Sequence, residues 1–183
     1  MSNLTDRTKQ ALLVIDVQVN VVSDAWHREK VIANINAILA KARRAEIPVI
    51  WIQHSDPYME IGTDGWQIVP ELVPLQGEPV ILKRFRSSFE NTALEETLQQ
   101  LGVGHLYICG AQTNNCVRHT SHAALERGYD VTLVEDAHTT SDGQWDSGTL
   151  LAAAIINEQN QSFFNYELPG RTASLSMAAE VSF

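Results

Sequence analysis

Residues 105–120 read HLYICGAQTNNCVRHT: an apolar run breaks at Gly110, passes five small or polar residues, and resumes with helical spacing from Cys116. A strand that feeds a helix through so short a connection is the repeating unit of an α/β sheet protein. The helix is expected from about residue 115 to 127. Val117, Thr120, Ala124 and Leu125 lie on its inner face, and Gly128 stands past its end, where a left-handed residue closes many helices.

Outward from this unit the same alternation recurs. Residues 11–16 (ALLVID), 48–54 (PVIWIQH), 79–83 (PVILK), 130–135 (DVTLVE) and, more weakly, 162–165 (SFFN) read as further strands. Val31, Ile32, Ile35, Ile38, Leu39 and Ala42 form one helical stripe, and Leu94, Leu98 and Leu101 another. Thr92 and Glu95 have capping-box spacing ahead of that second stripe, and Gly102 marks its end. A fourth helix is expected over 148–158. The pattern predicts a single-domain, three-layer α/β/α architecture around a mostly parallel, roughly six-stranded Rossmann-like sheet, covering residues 1–183, with 1–10 and 170–183 as terminal arms. The tail is read as a frayed end or an arm over a partner subunit. Residues 55–78 form the longest irregular connection and are a candidate lid or pocket wall. There is no internal repeat, and no G-x-G-x-x-G follows the first strand, which argues against a dinucleotide site.

Composition narrows the function. A chain of 183 residues can bury roughly two thirds of its unfolded surface, and 44% hydrophobic with 19% charged residues is ordinary for a globular protein. No apolar run approaches the roughly 18–20 residues of a membrane span. Residues 1–10 are polar and lack the pattern of a secretory signal, so a cytoplasmic protein is expected. A formal net charge of -9 with scattered Lys and Arg excludes a nucleic-acid footprint. Cys109 and Cys116, without a C-x-x-C unit or a His/Cys cluster nearby, read as two free thiols. Cys109 sits within a strand run as a small buried hydrophobe, whereas Cys116 has polar neighbours in Thr113, Asn114 and Asn115.

In open α/β sheets ligands collect outside the carboxyl ends of the strands. Asp16 ends the first strand, Lys83 the third, and Cys116 opens the helix after the fourth. Taken singly, an Asp there usually caps a turn and a Lys is usually solvated. Together they offer a nucleophile, a base and a cation.

The segments LLVIDVQ (12–18), KRFRSSF (83–89) and GAQTNNCVRHT (110–120), followed by Gly128-Tyr129 and Asp136-Ala137, resemble the isochorismatase-like cysteine hydrolases, in the same order and over most of the chain. The resemblance implies a catalytic triad of Asp16, Lys83 and Cys116. It implies an oxyanion hole from the backbone N–H groups of Gln112 and Cys116, with a cis peptide between Ala111 and Gln112. The expected reaction is hydrolysis of a C–N bond in a small amide, ureido compound or lactam, through a thioester on Cys116 with no cofactor. An ammonium and a helix start beside Cys116 are expected to favour the thiolate. The wording at 110–113 and 136–140 is similar to the branch that includes streptothricin hydrolases. A homo-oligomer, dimer or tetramer, is expected, with no membrane or nucleic-acid partner.

The nicotinamidase branch carries Asp-x-His and a further His for a metal. Here the region reads His54-Ser55-Asp56-Pro57-Tyr58 with one His, so no metal is expected; Asp136 reads as structural and His138 as a rim residue. Candidate substrate-binding residues are Gln18, Gln53, His54, Trp66 and Phe89. Two rival readings remain: a vinyl-ether hydrolase of the isochorismate type using Asp16 without the thiol, and a redox or binding protein in which Cys116 is oxidised.

Overall fold

The computed structural model describes residues 2–164 and 166–183. Its elements, in chain order, are β1 (Lys9–Ile15), α1 (Arg28–Arg44), β2 (Val49–His54), β3 (Val80–Lys83), α2 (Leu94–Leu101), β4 (Val103–Ala111), α3 (Arg118–Glu126), β5 (Asp130–Thr139), β6 (Gly143–Trp145), β7 (Gly148–Leu150), α4 (Ala152–Phe164), β8 (Glu167–Leu168) and β9 (Arg171–Ser176).

The central strand reads as a continuous apolar run because both of its faces are covered. Leu12 and Val14 of β1 pack with Ile35, Ile38 and Leu39 of α1. Ala11, Leu13 and Ile15, pointing the other way, pack with Leu94 and Leu98 of α2 and with Ala124 and Leu125 of α3. Three layers follow from that alternation. The sheet has seven strands in the order β3-β2-β1-β4-β5-β9-β8, parallel throughout except for the β8–β9 pair. From β1 the chain builds outward to β2 and β3 on one side, and to β4 and β5 on the other. The reversal therefore falls between β1 and β4, where a crevice opens at the strand ends. Gly110 lets the two strands meet there: its φ is 119°, and a Cβ on it would lie 2.0 Å from the Ile15 carbonyl oxygen.

Gly102 and Gly128 terminate their helices with φ of 70° and 97°, as the spacing predicts. Five expectations need correction: residues 148–150, expected to open the fourth helix, form β7 instead, and that helix runs Ala152–Phe164. Residues 162–164 are the last turn of α4, not a strand, because Ile155, Gln159 and Phe163 continue one buried helical face; Asn165 lies outside the described residues. The sixth strand of the sheet is instead β9, followed at the edge by β8. The segment read as a C-terminal arm thus belongs to the sheet. Beyond it Ala178 and Val181 are buried, and the Lys41 ammonium donates to the carbonyls of Ala178, Ala179 and Val181 at 2.7–2.9 Å. At the other end, Lys9 and Gln10 are already part of β1. No capping box forms at α2, since Glu95 is taken up by Arg7 and Tyr129, each at 2.9 Å. Among the described residues no helix is long and apolar enough to cross a membrane.

Candidate active site

Three chain segments converge at the crevice. Asp16 leaves β1 with a φ of 48°, a left-handed conformation that Asp tolerates better than most residues. Lys83 closes β3. Cys116 lies in a π turn, Thr113–Val117, that links β4 to α3; the wider turn is closed by the Val117 N–H donating to the Gln112 carbonyl at 3.2 Å. The peptide between Ala111 and Gln112 is cis, as expected.

The Lys83 ammonium has three protons and three partners. It lies 2.7 Å from Asp16 Oδ2, 3.0 Å from Cys116 Sγ and 3.1 Å from the Phe85 carbonyl oxygen. Asp16 and Lys83 are almost fully buried, with side chains 1% and 0% exposed. Burial raises the Asp16 pKa, and Lys83 works against that rise. For Lys83 burial disfavours the charge, but Asp16 and Cys116 outweigh it and the pKa moves up.

Cys116 departs from the thiolate expectation. Burial, reinforced by the neighbouring Asp16 charge, pushes its thiol up to about 12, and Lys83 only partly offsets this. The 2.7 Å contact makes an Asp16–Lys83 ion pair beside a thiol that burial keeps protonated, and that proton would have to leave for the sulfur to act as a nucleophile. Asp16 is the adjacent base, and its Oδ1 is buried with no hydrogen-bond partner. The sequence discloses the cation, but neither the depth of the pocket nor the π turn, which stands where a helix start was expected and defers the helix to Arg118.

Asp16 and Cys116 border a cleft of about 470 Å³, with Lys83 buried behind them; Gln112, Asn20, Val21, His54, Asp56, Tyr58, Met59, Arg86 and Asn115 complete its lining. Of the candidate substrate residues only His54 faces it, with its Nε2 3.3 Å from Asp56 Oδ2. Gln18 is a buried brace: its amide donates to the carbonyls of His54 and Trp66 at 3.0 and 2.7 Å and accepts from the His54 N–H at 2.8 Å. Gln53 points to the opposite side of β2 from His54 and donates to the same Trp66 carbonyl at 3.2 Å. Trp66 serves through that carbonyl and does not line the cleft. Phe89 is core, 5.9 Å from the Tyr129 ring and under the Arg127 guanidinium at 4.8 Å. The 55–78 connection is a wall of the cleft through Asp56, Tyr58 and Met59, anchored by the buried Val69 and Leu72. The sequence reading missed Arg86, although it stands within the KRFRSSF segment; Asn115, beside Cys116, and Asn20 carried no signal beyond being polar.

Asp136 is structural, accepting from the Ala178 N–H and the Asn34 amide at 2.7 and 2.9 Å. His138 is not a rim residue. It is buried, bonded to Thr113 Oγ1 at 2.9 Å and Asn160 Oδ1 at 2.8 Å, and it anchors the first residue of the Cys116 turn. Among the described residues no three His, Cys, Asp or Glu side chains gather as a metal site.

With this geometry in view, comparison with known proteins is decisive at the level of family. The isochorismatase domain profile matches residues 10–158. The chain belongs to the isochorismatase family. Relatives in that family include the streptothricin hydrolase of Streptomyces noursei, 35% identical over 139 residues that cover 73% of this chain and 50% of the relative. The chain thus spans about half the length of that protein. The ureidoacrylate amidohydrolase RutB of Enterobacter sp. (strain 638) is 31% identical over 169 residues, covering 69% of this chain and 74% of RutB. An isochorismatase crystal structure from Pseudomonas putida KT2440 superposes with a TM-score of 0.85 at 32% identity, covering 97% of this chain and 91% of that one. The family assignment and the seven-stranded fold agree.

Proposed function

We propose that this isochorismatase-family hydrolase is a cysteine amidohydrolase acting on a small amide, ureido compound or lactam. The observation that carries the reading is the contact chain Asp16–Lys83–Cys116, at 2.7 and 3.0 Å, at the base of one cleft. The amidohydrolase named among the relatives supports the same bond type.

In this reading Asp16 removes the Cys116 proton as Sγ bonds to the substrate carbonyl carbon. The oxygen, now negative, is met by the backbone N–H groups of Gln112 and Cys116. Collapse breaks the C–N bond, Asp16 delivers its proton to the departing nitrogen, and a thioester remains. Water then attacks, giving a proton to Asp16. Cleavage of the C–S bond restores the thiol and releases the acid. Lys83 keeps Asp16 ionised between steps and lends no proton. A cytoplasmic homo-oligomer, dimer or tetramer, completes the proposal.

A screen of amides, ureido acids and lactams for ammonia or amine release tests it, with Asp16→Asn in parallel. Release by the wild type that Asp16→Asn lacks is the expected result. Pyruvate release from a vinyl ether by Cys116→Ala, with no amide turned over by the wild type, would replace this reading with the rival one.

A further inference from the structure

Three of the chain's 13 lysines and arginines stand within residues 83–86, in a protein whose formal net charge is -9. Lys83 is consumed by the triad. Its bond to the Phe85 carbonyl also fixes the path of the chain leaving β3, the path that carries Arg84 and Arg86. Arg86 lines the Cys116 cleft. Arg84 lines an adjoining hollow of about 580 Å³ that shares Asp56 as a wall.

The charges around the cleft are unequally served. Asp16 and Lys83 neutralise each other, and Cys116 rests as a thiol. Asp56 is held by its own loop, accepting from the Tyr58 N–H at 2.8 Å and lying 3.3 Å from His54 Nε2. Neither the Arg86 guanidinium nor that of Arg84 has a hydrogen bond or ion pair with any described residue, but of the two it is Arg86 that lines the Cys116 cleft, where Lys83 and His54 are already engaged. A guanidinium presents paired donors in a planar fork that matches a carboxylate. On a protein this acidic an anion gains nothing from the overall field, so its recognition has to come from a local cation of this kind.

The geometry points to Arg86 as the residue that selects a substrate bearing a carboxylate, so that the molecule cleaved at Cys116 is an amide or ureido acid rather than a neutral amide. The identity of the occupant rests on the hydrolase reading above; recognition of the anion by Arg86 does not. Arg86 is exposed, so replacing it removes the contact without opening the core.

The test uses matched alkylating probes: N-(iodoacetyl)glycine and N-(iodoacetyl)-β-alanine against their neutral methylamides, with rates at Cys116 normalised to those at glutathione. The wild type should prefer the anionic probe by about tenfold, the scale of one charge-assisted contact. Arg86→Gln should bring the ratio close to one through the anionic probe alone, and Arg86→Lys should retain part of it. Calorimetric binding of succinamate against succinamide to Cys116→Ala makes the same comparison without reaction. Equal rates and affinities in the wild type, or a preference that survives Arg86→Gln, would overturn the assignment. Offering carboxylate-bearing amides as substrates separates the two claims. A charge preference with no thioester leaves Arg86 recognition standing and removes the hydrolase reading; a thioester with no charge preference does the reverse.

Discussion

Cys109 and Cys116 are seven residues apart, both free, and chemically alike before folding. Cys109 lies inside β4, fully buried, with its sulfur 3.6 Å from the Leu13 carbonyl and its thiol pushed far up by burial alone. Cys116 lies past the end of the same strand, also pushed up, but within 3.0 Å of an ammonium and beside a base, with an open cleft in front. What separates them is not acidity at rest. It is whether a partner can take the proton and a substrate can reach the sulfur.

The most damaging change should be Cys116→Ala, which removes the proposed nucleophile where alanine fits. Amide turnover should fall more than about a hundredfold with the melting temperature nearly unchanged. Cys109→Ser should keep turnover and cost about 1–2 kcal/mol, since a hydroxyl replaces an apolar buried thiol. Urea denaturation and steady-state kinetics of both variants check the pair, and exchanged outcomes would mean exchanged roles.

Next comes Lys83→Met, which keeps the stem and deletes the charge from a buried pair. Removing one partner of such a pair costs roughly 3–5 kcal/mol, less whatever protonation of Asp16 relieves. Turnover should fall by about a hundredfold or more, and Lys83→Arg should rescue little, because a planar fork replaces a compact ammonium with three fitted partners. Stability and kcat/KM measured across pH give both quantities.

A third effect works through the anchor of the Cys116 turn. Burial lowers the His138 pKa to about 4, against about 6.5 in an unfolded chain. Above pH 6.5 both states hold the neutral ring and stability is complete. As pH falls toward 4 the unfolded state takes up a proton that the folded state refuses, so up to about 3 kcal/mol is lost over that window. Chemical denaturation between pH 7 and 4 should show this loss, and His138→Gln should flatten it at the expense of stability at pH 7.

The smallest effect distinguishes the core from the cleft. Phe89→Leu should cost about 1 kcal/mol and leave KM unchanged, since Phe89 packs against Tyr129 and Arg127 and not on the substrate side. A KM raised several-fold with unchanged stability would return Phe89 to the pocket.

Much of this was legible because β1, β2, β4 and β5 are buried on both faces and therefore write uninterrupted apolar runs. β9 was missed because RTASLS is small and polar, with little apolar pattern to read. SFFN has strand propensity, but the four-residue spacing of Ile155, Gln159 and Phe163 overrides it. The meeting of Asp16, Lys83 and Cys116 was legible because each ends or follows a strand at the crevice. The pocket lining was not, because direction alternates along a strand: His54 faces the cleft while Gln53 turns away to brace Trp66. Gln18 and Trp66 are near the site in sequence but spend their polar atoms holding the loop. Depth was equally hidden, which is why the thiol of Cys116 was read as a thiolate.

The central claim is that sulfur, and the sulfur of Cys116 alone, bonds to the substrate's acyl carbon. Rapid quenching of the wild type in acid during turnover of an amide, followed by peptide mapping by mass spectrometry, addresses it directly. The account predicts an added acyl mass on the peptide bearing Cys116, absent from residue 109, released by hydroxylamine, and missing in Cys116→Ala. Turnover at full rate with no acyl mass on Cys116 at any quench time, or with that mass on another residue, would contradict it.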